Sequence, residues 1–141
     1  MKLPRPVHIV HAKRSPIGRF GGALASVSAA DLAVQVADSI KAYGRHLRLN
    51  VTTLFGGVGM QPQIENLKRG VDVLVATPGR LVDHLGQRTI RLDRTEIVVL
   101  DEVDRMLDIG FIHAIRRVMS HVPKARQSLF FRSEEHTSEL Q

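Results

Sequence analysis

Hydrophobic residues fall along this chain in two alternating rhythms. Leu32, Ala33, Val36, Ala37 and Ile40 recur at i, i+1, i+4, i+5 and i+8, which predicts a helix over 29–43. Ser26 or Ser28 stands where a cap is needed and Gly44 where the helix must stop. A β-rich stretch follows over 49–55 and runs into Gly56-Gly57, and a helical stretch over 61–69 stops at Gly70. Residues 71–76 are apolar almost throughout, the mark of a strand covered on both faces. Pro78 then opens a helix reaching Leu85, with Gly86 as its expected stop. A second buried strand is predicted over 96–100, a helix over 113–121 closed by Pro123, and a last strand from 128 to 131. Ahead of all this, 7–10 reads as a short strand followed by a Gly/Pro/Arg-rich loop. No internal repeat interrupts the pattern. Strands alternating with short helices predict an α/β domain with a mostly parallel sheet.

Composition narrows the class. The 141 residues amount to one domain, and 43% apolar with 24% charged residues is ordinary globular usage, against wholesale disorder. There is no Cys, so disulfide frameworks, thiolate metal sites and Cys nucleophiles are excluded. Apolar runs are only a few residues long, and the opening MKLPRPVHIV lacks the apolar core of a secretory signal. A cytoplasmic protein with no membrane partner is expected. The net charge of +6 is uneven: +4 over 1–31, +4 over 32–131 and −2 over 132–141. A basic balance suits a polyanion partner without establishing one.

The sharpest chemical feature is Asp101-Glu102 at the end of the run Ile97-Val98-Val99-Leu100. A parallel strand delivers its carboxyl end to the crevice where ligands bind in open α/β sheets. There one carboxylate can hold hydrated Mg²⁺ and the other can orient and deprotonate a water. The rival reading is a pair of acids favouring the dipole of the helix that follows. Thr77-Pro78-Gly79-Arg80 combines a strand end and a helix start with a hydroxyl and a guanidinium, a good cradle for a phosphate backbone. It is equally a Thr cap with Pro at the first helical position. Gly56-Gly57-Val58-Gly59 permits close approach of a ligand, or is a plain turn. The seven His residues show no zinc-like spacing, and Arg116-Arg117, Lys124 and Arg126 fit a solvated helix face and its surroundings.

Taken together, 32–131 resembles the first RecA-like domain of a DEAD-box RNA helicase. LAVQVADSIKAYGRHL resembles the helix after that family's motif Ia, and LFGG its GG motif. VDVLVATPGRLVDHL resembles motif Ib, VVLDEVDRMLDIGF motif II, and KARQSLFF the approach to motif III. The resemblance implies a P-loop NTPase type of fold, ATP and Mg²⁺ as cofactors, and RNA as partner. It gives Asp101 the Mg²⁺ role through water, Glu102 the role of catalytic base, and Asp104 a link between ATP state and motif III. Gly56, Gly57, Thr77, Pro78, Gly79 and Arg80 would lie along the RNA backbone. Val103 departs from the Ala of the family's name motif.

Other parts depart further. The chain has no G-x-x-x-x-G-K-[ST] loop, so the phosphate-loop strand of the fold is missing, as are the Q motif and the Ser-Ala-Thr of motif III. Ser28-Ala29-Ala30-Asp31 stands where motif Ia should present Thr and Arg. Residues 7–33 resemble the N-terminus of a thiolase, and 132–141, RSEEHTSELQ, resemble a translated sequencing adapter. The expected division is therefore a foreign segment over 1–31, a partial helicase ATP-binding domain over 32–131, and an adapter-like tail over 132–141. The expected function is that of a fragment of an ATP-dependent RNA helicase, inactive by itself. The alternatives are a non-catalytic RNA-backbone-binding fragment, or a chimera with no function of its own.

Overall fold

The computed structural model describes residues 29–101, 103, 106 and 110–131. The first helix, α1, spans Ala29–Tyr43 as predicted, with Asp31 in its first turn and Lys41 in its last, both favourable to the helix dipole. Gly44 follows it at a close-packed position: a Cβ there would stand 3.0 Å from the Ile40 carbonyl oxygen and 3.1 Å from Leu49 Cδ1, tighter than most packed contacts.

Four strands alternate with three further helices among the described residues. They are β1 (Val51–Leu54), α2 (Met60–Lys68), β2 (Val73–Ala76), α3 (Pro78–Gly86), β3 (Ile97–Leu100), α4 (Ile112–Ser120) and β4 (Gln127–Phe130). Each lies within two residues of its predicted bounds. The strands pair in parallel, β1 with β2 from Val51↔Val73 to Leu54↔Ala76, and β3 with β4 from Ile97↔Gln127 to Leu100↔Phe130.

β2 is covered on both faces, as its apolar run requires. Val75 meets Ala33 and Ala37 of α1, while Leu74 and Ala76 point the other way, into the main core. That core joins them to Leu81 and Leu85 of α3, Val98 and Leu100 of β3, and Ile115 and Val118 of α4. Fully burying one such side chain contributes about 1.5–3 kcal/mol, so this shared layer dominates cohesion.

Two expectations, for β3 and for the end of α3, need correction. β3 is not buried throughout: Val98 and Leu100 face the core, while Ile97 and Val99 are only half-buried, because one of its faces lacks an α1-like cover among the described residues. β4 is exposed for most of its length, with Phe130 58% and Leu129 38% accessible. Gly86 does not stop α3. It is the last helical residue, and Arg88 takes the left-handed position at φ 56°. The amides of Thr89 and Arg88 then donate to the carbonyls of His84 (3.0 Å) and Leu85 (3.1 Å), a Schellman closure with Arg where glycine is usual. The strand predicted over 7–10, the Ser26 and Ser28 caps, the thiolase-like stretch up to residue 28 and the tail over 132–141 lie outside the described residues.

Candidate functional site

The candidate residues sit where the strands end. β1 leads through Phe55 into Gly56-Gly57, and β2 leads through Thr77 into α3. The Thr77 amide donates to the Leu54 carbonyl at 2.9 Å, so the parallel ladder continues one step and holds the two exits side by side. Gly57 turns the loop at φ +82°, a conformation that any side chain would strain. At Gly56 and Gly79 a Cβ would meet nothing within 4 Å. Packing inside this chain therefore does not require glycine at either place, and both leave the backbone open to an approaching ligand.

Thr77 occupies the N-cap position of α3, but its hydroxyl makes no capping hydrogen bond. The cap reading of this residue is thus not realised. Pro78 is buried in the first turn, as its fixed φ favours. Arg80 reaches across to the glycine loop: Nη2 donates to the Val58 carbonyl at 3.0 Å, and Nη1 lies 3.9 Å from Met60 Sδ. The guanidinium ties α3 to the loop, a role its sequence position did not disclose. Six candidates, Gly56, Gly57, Thr77, Pro78, Gly79 and Arg80, thus form one cluster.

Beneath it runs a polar network that sequence reasoning missed. Gln63 Nε2 donates to the Phe55 carbonyl at 2.9 Å, and Gln63 Oε1 faces His84 Nε2 at 3.0 Å. His84 Nδ1 lies 2.7 Å from Thr89 Oγ1. Both Gln63 and His84 are buried, His84 completely. Burial first, and the Arg80 guanidinium second, lower the His84 pKa, partly offset by Asp83. One sign of this was present in the sequence: His84 falls in the i, i+3, i+4 stripe with Leu81 and Leu85.

Asp101 lies at the carboxyl end of β3, partly buried. Beyond it the Val103 amide donates to the Phe131 carbonyl at 3.1 Å, joining the ends of β3 and β4. Glu102 and Asp104 lie outside the described residues. No cluster of three metal-ligating side chains occurs among the described residues. A single carboxylate is nevertheless a donor set that fits hydrated Mg²⁺, which keeps most of its waters and is usually held by one or two carboxylates. No described helix is long and apolar enough to cross a membrane.

Known proteins share this fold. The model of the DEAD/DEAH box helicase family matches residues 17–132. The chain belongs to that family. Among its helicase relatives, DEAD-box ATP-dependent RNA helicase 40 of Oryza sativa is 42% identical over 130 residues, which cover 92% of this chain and 16% of that protein. The DEAD-box ATP-dependent RNA helicase CshA of Geobacillus kaustophilus is 44% identical over 101 residues, covering 72% of this chain and 22% of its own length. The crystal structure of a DEAD box protein from Methanococcus jannaschii superposes with a TM-score of 0.74 at 28% identity, over 92% of this chain and 32% of that one. A hypothetical ATP-dependent RNA helicase from Sulfolobus tokodaii gives 0.70 at 30% identity, over 91% and 34%. The fold is accordingly that of a partial RecA-like helicase domain, and the chain spans about a third or less of each helicase it resembles.

Proposed function

We propose that this chain is part of the first RecA-like domain of an ATP-dependent RNA helicase, and that Gly56, Gly57, Thr77, Pro78, Gly79 and Arg80 lie along the RNA sugar-phosphate backbone. The observation that carries the reading is the open surface at Gly56 and Gly79, two backbone positions with no neighbour inside the chain to explain the missing side chain. Thr77, whose hydroxyl makes no capping hydrogen bond, and the start of α3 belong to the same cluster, which supports the reading. Such contacts register a backbone without reading its sequence.

Asp101 would hold Mg²⁺ through water, with Glu102 as the base that orients water and Asp104 coupling the site to the segment after β4. Bound ATP would supply the phosphoryl chemistry that drives RNA remodelling in the complete enzyme. This chain contains no phosphate loop, so by itself it acts as a non-catalytic RNA-backbone-binding piece.

The test is RNA binding by fluorescence anisotropy with Gly56→Ala and Gly79→Ala, alongside ATPase measurement. Both variants should keep the fold and weaken RNA binding several-fold, and ATP turnover should not exceed background. Unchanged RNA affinity in both would remove the binding reading. Turnover that disappears in Glu102→Gln would overturn the non-catalytic one.

A further inference from the structure

A second set of cations borders two grooves on either side of the turn between α2 and β2, one of them lined by the segment that follows α3. One groove, of about 500 Å³, lies between Leu67 and Val71 on one side and the segment 88–94 on the other, with Arg88, Arg91 and Arg94 along it. The other, of about 410 Å³, is bordered by Arg69 and Lys41. α3 has nine residues, so the first groove, lined from Arg88 onward, stands about 13 Å from the Thr77 cluster along its axis.

The charges there are poorly balanced. Among the described residues, Asp93 lines the first groove and accepts from Arg91 at 2.7 Å, and the Asp72 carboxylate borders the second, accepting from the Asn50 amide at 2.8 Å. Lys41 is paired with Asp38 at 3.2 Å. Arg69, Arg88 and Arg94 are exposed and have no carboxylate partner among the described residues. The segment that presents two of them is pinned from beneath by Leu92, 1% exposed, and by Thr89 on His84. Arg88 also holds a left-handed backbone, φ 56°, that glycine adopts without strain. A cation thus stands at the turn that closes α3, on a backbone conformation that disfavours it.

We propose that the two grooves form a second binding surface for single-stranded RNA, lined by none of the residues of the Gly56–Arg80 cluster. Arg69, Arg88 and Arg94 would contact phosphates, and Leu67, Val71 and Ile90 would lie beneath the sugars. Guanidinium groups suit phosphate because their forked donors match its oxygens. The surface does not depend on the first cluster, so the two can be separated experimentally.

The experiment uses the full chain and a fluorescent oligouridylate, titrated at several salt concentrations between about 50 and 200 mM. A triple variant, Arg69→Gln with Arg88→Gly and Arg94→Gln, removes the cations without adding bulk, and Arg88→Gly relieves the left-handed strain. Affinity should fall at least tenfold at the lowest salt. The slope of log K against log salt should flatten by about 2, as expected for three lost contacts to a single strand. Photo-crosslinking of the unmodified chain should place RNA on 88–94. Unchanged affinity and slope, or crosslinks confined to 56–80, would overturn the proposal while leaving the first cluster intact. Competition by polyglutamate as effective as by oligouridylate would also overturn it, in favour of an acidic protein partner. Loss of binding in Gly79→Ala with none in the triple variant would support only the reading of the first cluster.

Discussion

His84 and Gln63, 21 residues apart in sequence, meet through Nε2 and Oε1 at 3.0 Å in the buried layer beneath the glycine loop. Gln63 gives its amide hydrogen to the Phe55 carbonyl, so its oxygen faces the ring and the ring nitrogen there carries the proton. Nδ1 lies 2.7 Å from the Thr89 hydroxyl, whose oxygen also stands 3.1 Å from the His84 carbonyl. One buried chain of polar groups therefore connects the exit of β1 to the closing turn of α3.

Gln63→Leu should destabilise the chain by about 1–3 kcal/mol. It leaves the Phe55 carbonyl and the His84 ring N–H without partners, and a buried unpaired group costs its full desolvation. A urea midpoint unchanged from the parent would show that the network contributes nothing.

Stability should decline as the solution becomes acidic. The pKa of His84 is lowered in the folded chain, by burial above all, from its usual 6.5. Acid therefore protonates the unfolded chain first, and unfolding takes up a proton. The contribution is fully present above pH 6.5, is lost as the pH falls from there towards the lowered folded value, and changes no further below it. Thermal melts across this window should show a fall in midpoint that His84→Gln reduces.

The glycines should divide into two groups. Gly57→Ala should cost about 1–2 kcal/mol because φ +82° is strained for any side chain. Gly79→Ala should leave stability unchanged or raise it by up to about 1 kcal/mol, since alanine is the better helix former. Equal urea midpoints for the two variants would contradict the backbone geometry that separates them.

Leu81→Ala should lose about 2–5 kcal/mol, because Leu81 is fully buried at the centre of the α3–α4 layer. Phe130→Ser, on the exposed strand β4, should change stability by less than about 0.5 kcal/mol despite removing a larger apolar group. Comparable losses in the two variants would show that β4 is covered in solution.

Local order was legible where local physics decides. The period of Leu32, Ala33, Val36, Ala37 and Ile40 located α1 from end to end, and the run 71–76 marked a strand covered on both faces. The glycine pair and Thr77-Pro78-Gly79-Arg80 were also readable as neighbours, through motif spacing and the resemblance it supports. The use of Arg80 was not, since its partner is a carbonyl 22 positions earlier. Nor was the exposure of β4, because apolar residues at 129–131 read the same whether or not another element covers them.

The sequence by itself determined the α/β alternation, the family and the placing of candidate groups at strand ends, because periodicity, glycine and proline act within a few residues. Only the tertiary structure decided that Gln63 and His84 are partners, that Arg88 rather than Gly86 turns the chain, and that α1 covers one face of β2 while α3 lies on the other. Those outcomes depend on which surfaces meet across long separations. Burial and hydrogen-bond satisfaction set them, and neither is a property of any short stretch of sequence.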